Sequence, residues 1–506
     1  MVQRFGAIGM VAGFHSAITA VIGTLVIVFL SSCQPMPDAL DADEVMAAAP
    51  ASFEVPFSTG DAATLAWWRA MDEEGLDAFI DAVMVANADW QVAHARVLAS
   101  RAQTEAAWVG LFPSVAFSTD RASQSLPTNT GSTARFSSSI PGFPDRFDVT
   151  TFNSAVAVNY EIDLWGRLRH ARAVALADYQ ATQADIVGLR MAIVANAVTA
   201  WFAYQDAVIS ARLAEENVDL LEERVQLTED RYDRGLTTSF ELFRLRQSLE
   251  EAKATLPLAQ ARVASSRNDL ARQVGRYATD IIPQIPTEMR PSGWPVQADV
   301  PATILRHRPD IIAAGYRLEI ARRQVGIARA EQFPKLNLTT SLGTQSNDLA
   351  GLTNFDQYVR VFNTGLAAPI FNAGALRANT QSARYRYEQA AITYEQAVRD
   401  AFHEVQRALT TYGAESARYE ATLVAFDQAQ ATVATQELRF RRGLGDYLAY
   451  LDARLAMNRT ALSVVAARSA LAGSFILVQR TLGGTWFTSE QLEPQRPNQG
   501  VEAPSL

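Results

Sequence analysis

Two distant stretches of the chain carry the same pattern, and this repetition limits the folds that the chain can adopt. The segment Arg231–Gly235 returns as Arg439–Gly443, and the pair Val274–Gly275 returns as Leu482–Gly483. The two pairs of glycines share one offset of 208 positions, since 443 − 235 equals 483 − 275. A constant offset across a long helix, a turn and a return helix means that a helical hairpin is duplicated.

The duplication extends upstream of the hairpins. Ala88–Asp89 matches Pro309–Asp310, and Phe112–Pro113 matches Phe333–Pro334, both with an offset of 221. The two offsets differ by 13, so the first copy carries extra residues between its Phe-Pro pair and its long helix. Two copies are too few and too long for a solenoid of ~20–50-residue repeats, which favours one pseudo-symmetric body.

Each copy predicts helices of unusual length. A helical apolar spacing predicts one helix from Leu76 to Val109, and the segment from Arg167 to about Asp233 predicts another of ~100 Å at ~1.5 Å per residue. In both long helices apolar residues recur every seven positions, which imposes left-handed supercoiling on packed helices. The first helix has two such runs, Val187, Val194, Trp201 and Val208, then Leu213, Leu220 and Leu227, and the second has one, Val398, Val405, Tyr412, Tyr419, Phe426, Val433 and Phe440. The stripes alone also fit an ordinary coiled-coil spacer.

After each Phe-Pro pair the apolar period changes to two. Val156 and Val158 alternate with Ala157 and Asn159, and Leu336 and Leu338 behave alike in the second copy. One apolar and one polar face is the pattern of a membrane-barrel strand, although a single strand of this kind also fits a soluble hairpin. Four such strands are predicted, with loops at 120–151 and 344–358. Because the smallest bacterial barrels need about eight strands, the protein must assemble.

The N-terminus predicts export. Arg4 precedes an uncharged run that ends in strongly apolar residues at 21–30 and then in Ser31, Ser32 and Cys33. A positive start, an apolar middle and a small-residue exit describe a secretory signal, although the run is also long enough for an uncleaved membrane anchor. Leu30–Cys33 resembles the bacterial lipobox, which implies that Cys33 carries a diacylglycerol and becomes the mature N-terminus.

Composition argues against other classes of function. The net charge of −9 is spread along the helices without basic runs, so nucleic acid is not an expected partner. The histidines are scattered, without the spacing of a zinc protease, and no glycine-rich phosphate loop follows a strand. We therefore expect no enzyme activity, no cofactor and no metal site.

The start of the first repeat carries a family resemblance. Trp67–Trp68, Leu76–Asp77, Asn87–Asp89 and Ala95–Arg96 resemble the NodT subfamily of TolC-like outer-membrane efflux proteins. The resemblance implies a mainly helical homotrimer with a twelve-stranded β-barrel in the outer membrane and a periplasmic helical barrel. It also implies an exit duct that serves a periplasmic adaptor and a resistance-nodulation-division pump. A type I secretion component and a non-channel periplasmic adaptor lipoprotein are the alternatives.

The resemblance also places a gate at the turns between long and return helices. Asp452 occupies the position of an aspartate that lines the closed aperture, and Glu241 that of a latch residue. Ala449 and Gly445 replace a second aspartate and a latch arginine of well-known members, so the double ring and latch are incomplete. Gly235 and Gly443 supply the positive φ that reverses the chain. The arginines beside them, which include Arg231, Arg439 and Arg442, are expected to pair with the acidic residues or to meet the adaptor. A solvated helix face is the alternative for Asp452 and Glu241.

The predicted organisation follows from these segments. It comprises a lipoprotein signal peptide at 1–32, a lipidated tether at 33–66, the first repeat at 67–275, an equatorial linker at 276–297, the second repeat at 298–483 and a C-terminal tail at 484–506.

Overall fold

The computed structural model describes residues 36–41, 45, 46, 50, 52, 53, 66–128, 140, 143–277, 294, 296 and 301–483. The predicted signal peptide, Cys33, the C-terminal tail and most of the linker between the repeats lie outside these residues. Within them the chain is mainly helical and carries one four-stranded sheet.

The two copies have matching elements in the same order. The first comprises a 3₁₀ turn Trp67–Met71, α1 Leu76–Ala86, α2 Ala88–Val109, β1 Ser114–Pro127, β2 Arg146–Ile162, α3 Arg167–Asp233 and α4 Ser239–Gln273. The second comprises α5 Pro301–His307, α6 Pro309–Ala330, β3 Lys335–Ser346, two 3₁₀ turns Ala350–Thr353 and Phe355–Gln357, β4 Tyr358–Ala367, α7 Ala375–Arg441 and α8 Tyr447–Thr481. Both long helices have 67 residues and both return helices have 35, which confirms the duplicated hairpin.

The helix predicted from Leu76 to Val109 is wrong as one element, because the chain breaks at Asn87. Asn87 has an extended ψ of 124°, and its side-chain oxygen accepts a hydrogen bond from the Trp90 N–H, which caps α2. The apolar period continues across the break, so the sequence pattern does not reveal it. The second copy breaks at the matching place, where Arg308 is extended and Pro309 begins α6.

The strands form one antiparallel sheet in the order β1-β2-β3-β4, so the two hairpins join through β2 and β3. The paired strands are longer than predicted: β1 continues to Pro127 and β2 already begins at Arg146. Serine and threonine at these positions suggested loops, but an antiparallel ladder pairs backbone groups, which these residues share with all others. In the other direction, β4 ends at Ala367, although Ala368 and Ile370 continue the alternation of Phe362, Thr364 and Leu366 in the sequence.

The largest apolar core lies around the middle of α3 and α8, where the seven-residue stripe is buried. Val187, Val194 and Trp201 of α3 are at most 7% exposed and pack with the 3₁₀ turn, α1 and Phe475 of α8. Two helices, α3 and α8, are long and apolar enough to cross a membrane, yet they pack against each other and bury half or more of their most apolar window. Their apolar character therefore belongs to this core.

A charged network is enclosed in the same core. Arg468 of α8 is 1% exposed and donates to Glu73 at 2.8 Å and to Gln205 of α3 at 2.6 Å. Its guanidinium also lies 5.3 Å from the centre of the Phe202 ring. Burial raises the pKa of the neighbouring Asp206 to about 6, and Ser469 and Arg468 lower it only in part. Arg468 therefore ties the segment before α1 to both central helices.

Candidate gate at the helical turns

The two hairpin turns have the same backbone design. Gly235 has a φ of +71° and Gly443 a φ of +68°, the left-handed region that suits glycine. In the first turn the Gly235 N–H donates to Tyr232 and the Leu236 N–H donates to Arg231, both at 2.8 Å. The second turn repeats this hydrogen-bond pair from Gly443 and Leu444. These bonds pair the last carbonyl groups of each long helix. The turn glycines therefore fix where the long helix ends and where the chain turns toward the return helix.

Between the turns, α3 of the first repeat packs along α8 of the second, and polar side chains link them; we call this contact the α3–α8 seam. Its links are the ion pairs Arg224–Asp452, Arg231–Asp446 and Arg454–Glu216, a hydrogen bond from Tyr447 to Glu223 and one from Asn458 to Asn217. The Arg231 Nη1 to Asp446 Oδ2 distance is 2.9 Å, and the Tyr447 hydroxyl lies 2.7 Å from Glu223 Oε1. The seam therefore joins the two repeats close to their turns.

Asp452 takes part in this seam. Its carboxylate pairs with Arg224, whose side chain is 16% exposed, while the Asp452 side chain itself is 53% exposed. The aspartate is therefore held by one partner and open to water on its other side. This position is compatible with two roles. The carboxylate can link the two helices, and it can present a charge to a water-filled space.

The electrostatics of the seam favour closed links at neutral pH. Partial burial raises the pKa of Asp446, but hydrogen bonds from the Leu448 N–H and from Arg231 outweigh it and leave the pKa below its ordinary value. The hydrogen bond to Glu223 raises the pKa of Tyr447 to about 12. Asp446 is thus ionised and Tyr447 protonated near pH 7, so both links keep their donors and acceptors.

The other predicted gate residues are placed differently. Glu241 pairs with Arg244 on its own helix at 2.7 Å, and the hydrogen bond from Arg244 lowers the pKa of Glu241. Neither Arg439 nor Arg442 makes an ion pair within the part of the chain that the structure describes. Arg231 pairs with Asp446 rather than with Asp452 or Glu241. The structure thus brings Asp452 and Arg231 into one seam and leaves Glu241, Arg439 and Arg442 outside it.

The sequence analysis does not identify several residues of the seam. These are Glu216, Glu223, Arg224, Asp446, Tyr447 and Arg454. A signal was present, since Glu216 and Glu223 are seven residues apart, as are Arg224 and Arg231. The same interval that marks the apolar stripe therefore also marks polar residues on one side of α3. What the sequence lacks is the identity of the facing helix.

Comparison with known proteins assigns the family. A model of outer membrane efflux proteins matches residues 79–276 and 300–484, one segment for each repeat. The chain belongs to the outer membrane efflux protein family. The probable efflux pump outer membrane protein TtgC of Pseudomonas putida is 27% identical over 480 residues, which cover 94% of this chain and 97% of that protein.

Further similarities agree with this assignment. The solvent efflux pump outer membrane protein SrpC of Pseudomonas putida is 30% identical over 332 residues, which cover 65% of this chain and 70% of that protein. Among solved structures, the CmeC outer membrane channel of Campylobacter jejuni aligns with a TM-score of 0.75 at 21% identity, covering 89% of this chain and 94% of that chain. This outer membrane efflux protein is the outer-membrane component of an efflux system, and its fold is that of the solved outer membrane channel.

Proposed function

We propose that three copies of the chain close into one duct. It passively carries drugs or other small molecules to the exterior from a periplasmic adaptor and an inner-membrane pump of the resistance-nodulation-division type. The observation that carries this proposal is the open sheet. β1 and β4 are its two edges, and neither edge is paired within the described chain. Unpaired backbone groups are costly in lipid, so the edges must meet strands of other copies.

The helical region supports the same closure. The helices lie in the order α4, α3, α8, α7, so α4 and α7 are the outer two. Both carry exposed apolar side chains: Phe240, Phe243 and Leu258 on α4, and Ile392, Val424 and Leu438 on α7. A second copy that places its α7 against α4 covers these side chains. Three copies of a four-stranded sheet give the twelve strands that the family resemblance implies.

The assembly and the channel are tested together. The purified full-length protein is expected to run as a trimer in detergent and to conduct ions across a planar bilayer. Phe243→Glu, which places a charge on the outer face of α4, is expected to shift most of the protein to monomer, because burying a phenylalanine contributes ~1.5–3 kcal/mol at each contact. Light scattering measures the masses, and single-channel recording measures the conductance.

The control is Thr255→Glu, which adds the same charge to α4 at an exposed polar position about a third of a turn around the helix from Phe243. It is expected to leave the trimer intact. A wild-type protein that remains a folded monomer without conductance contradicts the proposed function.

The names of the relatives do not indicate a single class of compound that this chain transports. Their names describe export of solvents, of antibiotics, of pyoverdine and of cations by proteins with 26–30% identity to this chain. Export of a polypeptide, as in type I secretion, is the second candidate for the same duct. Loss of resistance to small toxic compounds after deletion of the protein, without loss of a secreted polypeptide, supports efflux.

We propose the α3–α8 seam as the gate of this duct. Opening the periplasmic end requires the hairpins to separate near their turns, and the links from Arg224 and Arg231 oppose that movement. Asp452 is the aperture candidate, because three half-exposed copies of its carboxylate would repel one another and attract cations. Arg439 and Arg442, without ion pairs among the described residues, are available to a docking adaptor.

Lipidation of Cys33 is a separate proposal, based on the lipobox-like Leu30–Cys33. The signal at 1–32 is removed, and the acylated tether at 33–66 anchors the protein in the outer membrane. Mass spectrometry is expected to show a mature chain that begins at acylated Cys33, and Cys33→Ser is expected to abolish both cleavage and acylation. Ser32→Ala keeps a small residue before the cysteine and is the control. An unmodified N-terminus in the wild type contradicts this proposal.

A further inference from the structure

The two faces of the sheet can be assigned residue by residue, because directly paired residues of an antiparallel ladder point to the same side. Val115, Val158, Thr340 and Phe362 form one continuous row by their pairing, and Phe117, Val156, Leu342 and Arg360 form the next. Their exposed apolar members, Val115, Phe117, Val156, Leu342 and Phe362, place this side against lipid. We call it the apolar face.

Three arginines of the described strands lie on this apolar face, namely Arg121, Arg360 and Arg146. Arg121 of β1 pairs with Phe152, which continues the face on β2, and Arg360 of β4 pairs with Leu342 on β3. Both side chains are exposed, and neither makes an ion pair within the described chain. The Arg121 guanidinium lies over the Phe152 ring, 5.7 Å from its centre. Arg146, the further cation of this face, is by contrast engaged with Ser125 at 2.8–2.9 Å.

The two arginines sit at the same distance from the helical side of the sheet. Each lies seven positions along its strand, counted from Ser114 for Arg121 and from Ala367 for Arg360. At ~3.3 Å per residue and a tilt of ~40°, this corresponds to a height of ~18 Å, within an apolar band ~25 Å tall. The helices are periplasmic, so a long arginine side chain at this height reaches the outer boundary of the band.

We infer that Arg121 and Arg360 bind phosphate groups of lipid headgroups in the outer leaflet of the membrane. A charge on the lipid face is tolerated near the interface and needs an anionic partner there. The described protein supplies no carboxylate for either arginine, whereas a phosphate accepts two parallel hydrogen bonds from one guanidinium. The neighbouring aromatic side chains, Phe152 and Tyr358, are of the kind that lies at membrane interfaces.

The proposed trimer strengthens this inference, which rests on it. Arg121 is on the edge strand β1 and Arg360 on the opposite edge strand β4. When β1 of one copy pairs with β4 of the next, the two arginines come from adjoining strands of different copies. Each of the three junctions then presents two cations to the outer leaflet, so a lipid with two phosphates bridges neighbouring copies.

The test measures lipid binding to the full-length trimer in nanodiscs of phosphatidylcholine. Native mass spectrometry follows the binding of bis-phosphorylated lipid A and of the same lipid with both phosphates removed. The wild type is expected to bind the phosphorylated lipid more tightly. The double variant Arg121→Gln and Arg360→Gln is expected to lose about tenfold in affinity for it, the scale of one charge-assisted contact. The pair of lysine substitutions is expected to retain most of the binding.

The matched control is Lys335→Gln, which removes a cation from the other face of the sheet at its helical end. Equal binding of the phosphorylated lipid by the wild type and the double variant overturns the inference. Equal binding of the two lipids by the wild type also overturns it. A double variant whose trimer loses thermal stability but keeps its lipid binding overturns it as well.

Single-channel conductance is recorded on the same samples. A conducting trimer with unchanged lipid binding refutes only the lipid site, whereas a wild type without trimer or conductance refutes the proposed function as well.

Discussion

Replacement of Arg468 by methionine is expected to lower the stability of the folded protein by about 3–5 kcal/mol, because it leaves a buried carboxylate without its partner. Arg468 and Glu73 have side chains that are 1% and 6% exposed, and their charged groups are 2.8 Å apart. The variant also removes the hydrogen bond to Gln205. The loss is measured as a fall in the thermal unfolding temperature of the detergent-solubilised protein.

Two comparisons separate the buried charge from simple loss of a side chain. The double variant Arg468→Met and Glu73→Gln removes both charges and is expected to recover most of the lost stability. Arg69→Met breaks the exposed pair with Asp77, whose side chains are 64% and 54% exposed, and is expected to cost under ~1 kcal/mol. If Arg468→Met behaves like Arg69→Met, the network does not hold the central helices together.

Replacement of Asp452 by alanine is expected to raise the single-channel conductance several-fold and to reduce cation selectivity. The change breaks the link to Arg224 in the α3–α8 seam and leaves that arginine uncompensated. In three copies the local charge becomes more positive by three units, within the ~8–10 Å over which charges act in physiological salt. Planar-bilayer recording measures both the conductance and the reversal potential in a salt gradient.

The seam and the charge contribute separately to this result. Arg231→Ala breaks the second link without removing an acidic group, so it is expected to raise conductance while keeping cation selectivity. Glu229→Ala is the control, since it removes a carboxylate paired with Arg246 within the first hairpin and leaves the seam intact. Unchanged conductance and selectivity in Asp452→Ala, with the trimer confirmed, place Asp452 on an ordinary solvated helix face.

Local sequence patterns are sufficient to predict the helical hairpins. The bounds of α3 follow from a periodic apolar stripe and from the positive φ that Gly235 supplies after it. Because the hairpin is duplicated, the same argument gives the bounds of α7 and the positive φ of Gly443 after it. The change of period after each Phe-Pro pair marks the strands, because alternation of faces is a property of each strand alone.

Features that depend on the pairing of backbone groups are harder to obtain from the sequence. The far ends of β1 and β2 contain serine, threonine and asparagine, which are common in loops. They form strands because the backbone groups of β1 and β2 pair with each other. The break at Asn87 is similar, since its side-chain amide also donates to the Gln273 carbonyl at the end of α4.

The sequence by itself determined the duplicated hairpins, the turn glycines and the alternating strands, because each depends on residues within a few turns of one another. The tertiary structure alone decided the partners of the charged residues that link separate helices. Asp452 meets Arg224 and Arg468 meets Glu73 across large separations in the chain. A seven-residue spacing defines which face of a helix is packed, but the choice of the facing helix comes from how both repeats fill one core.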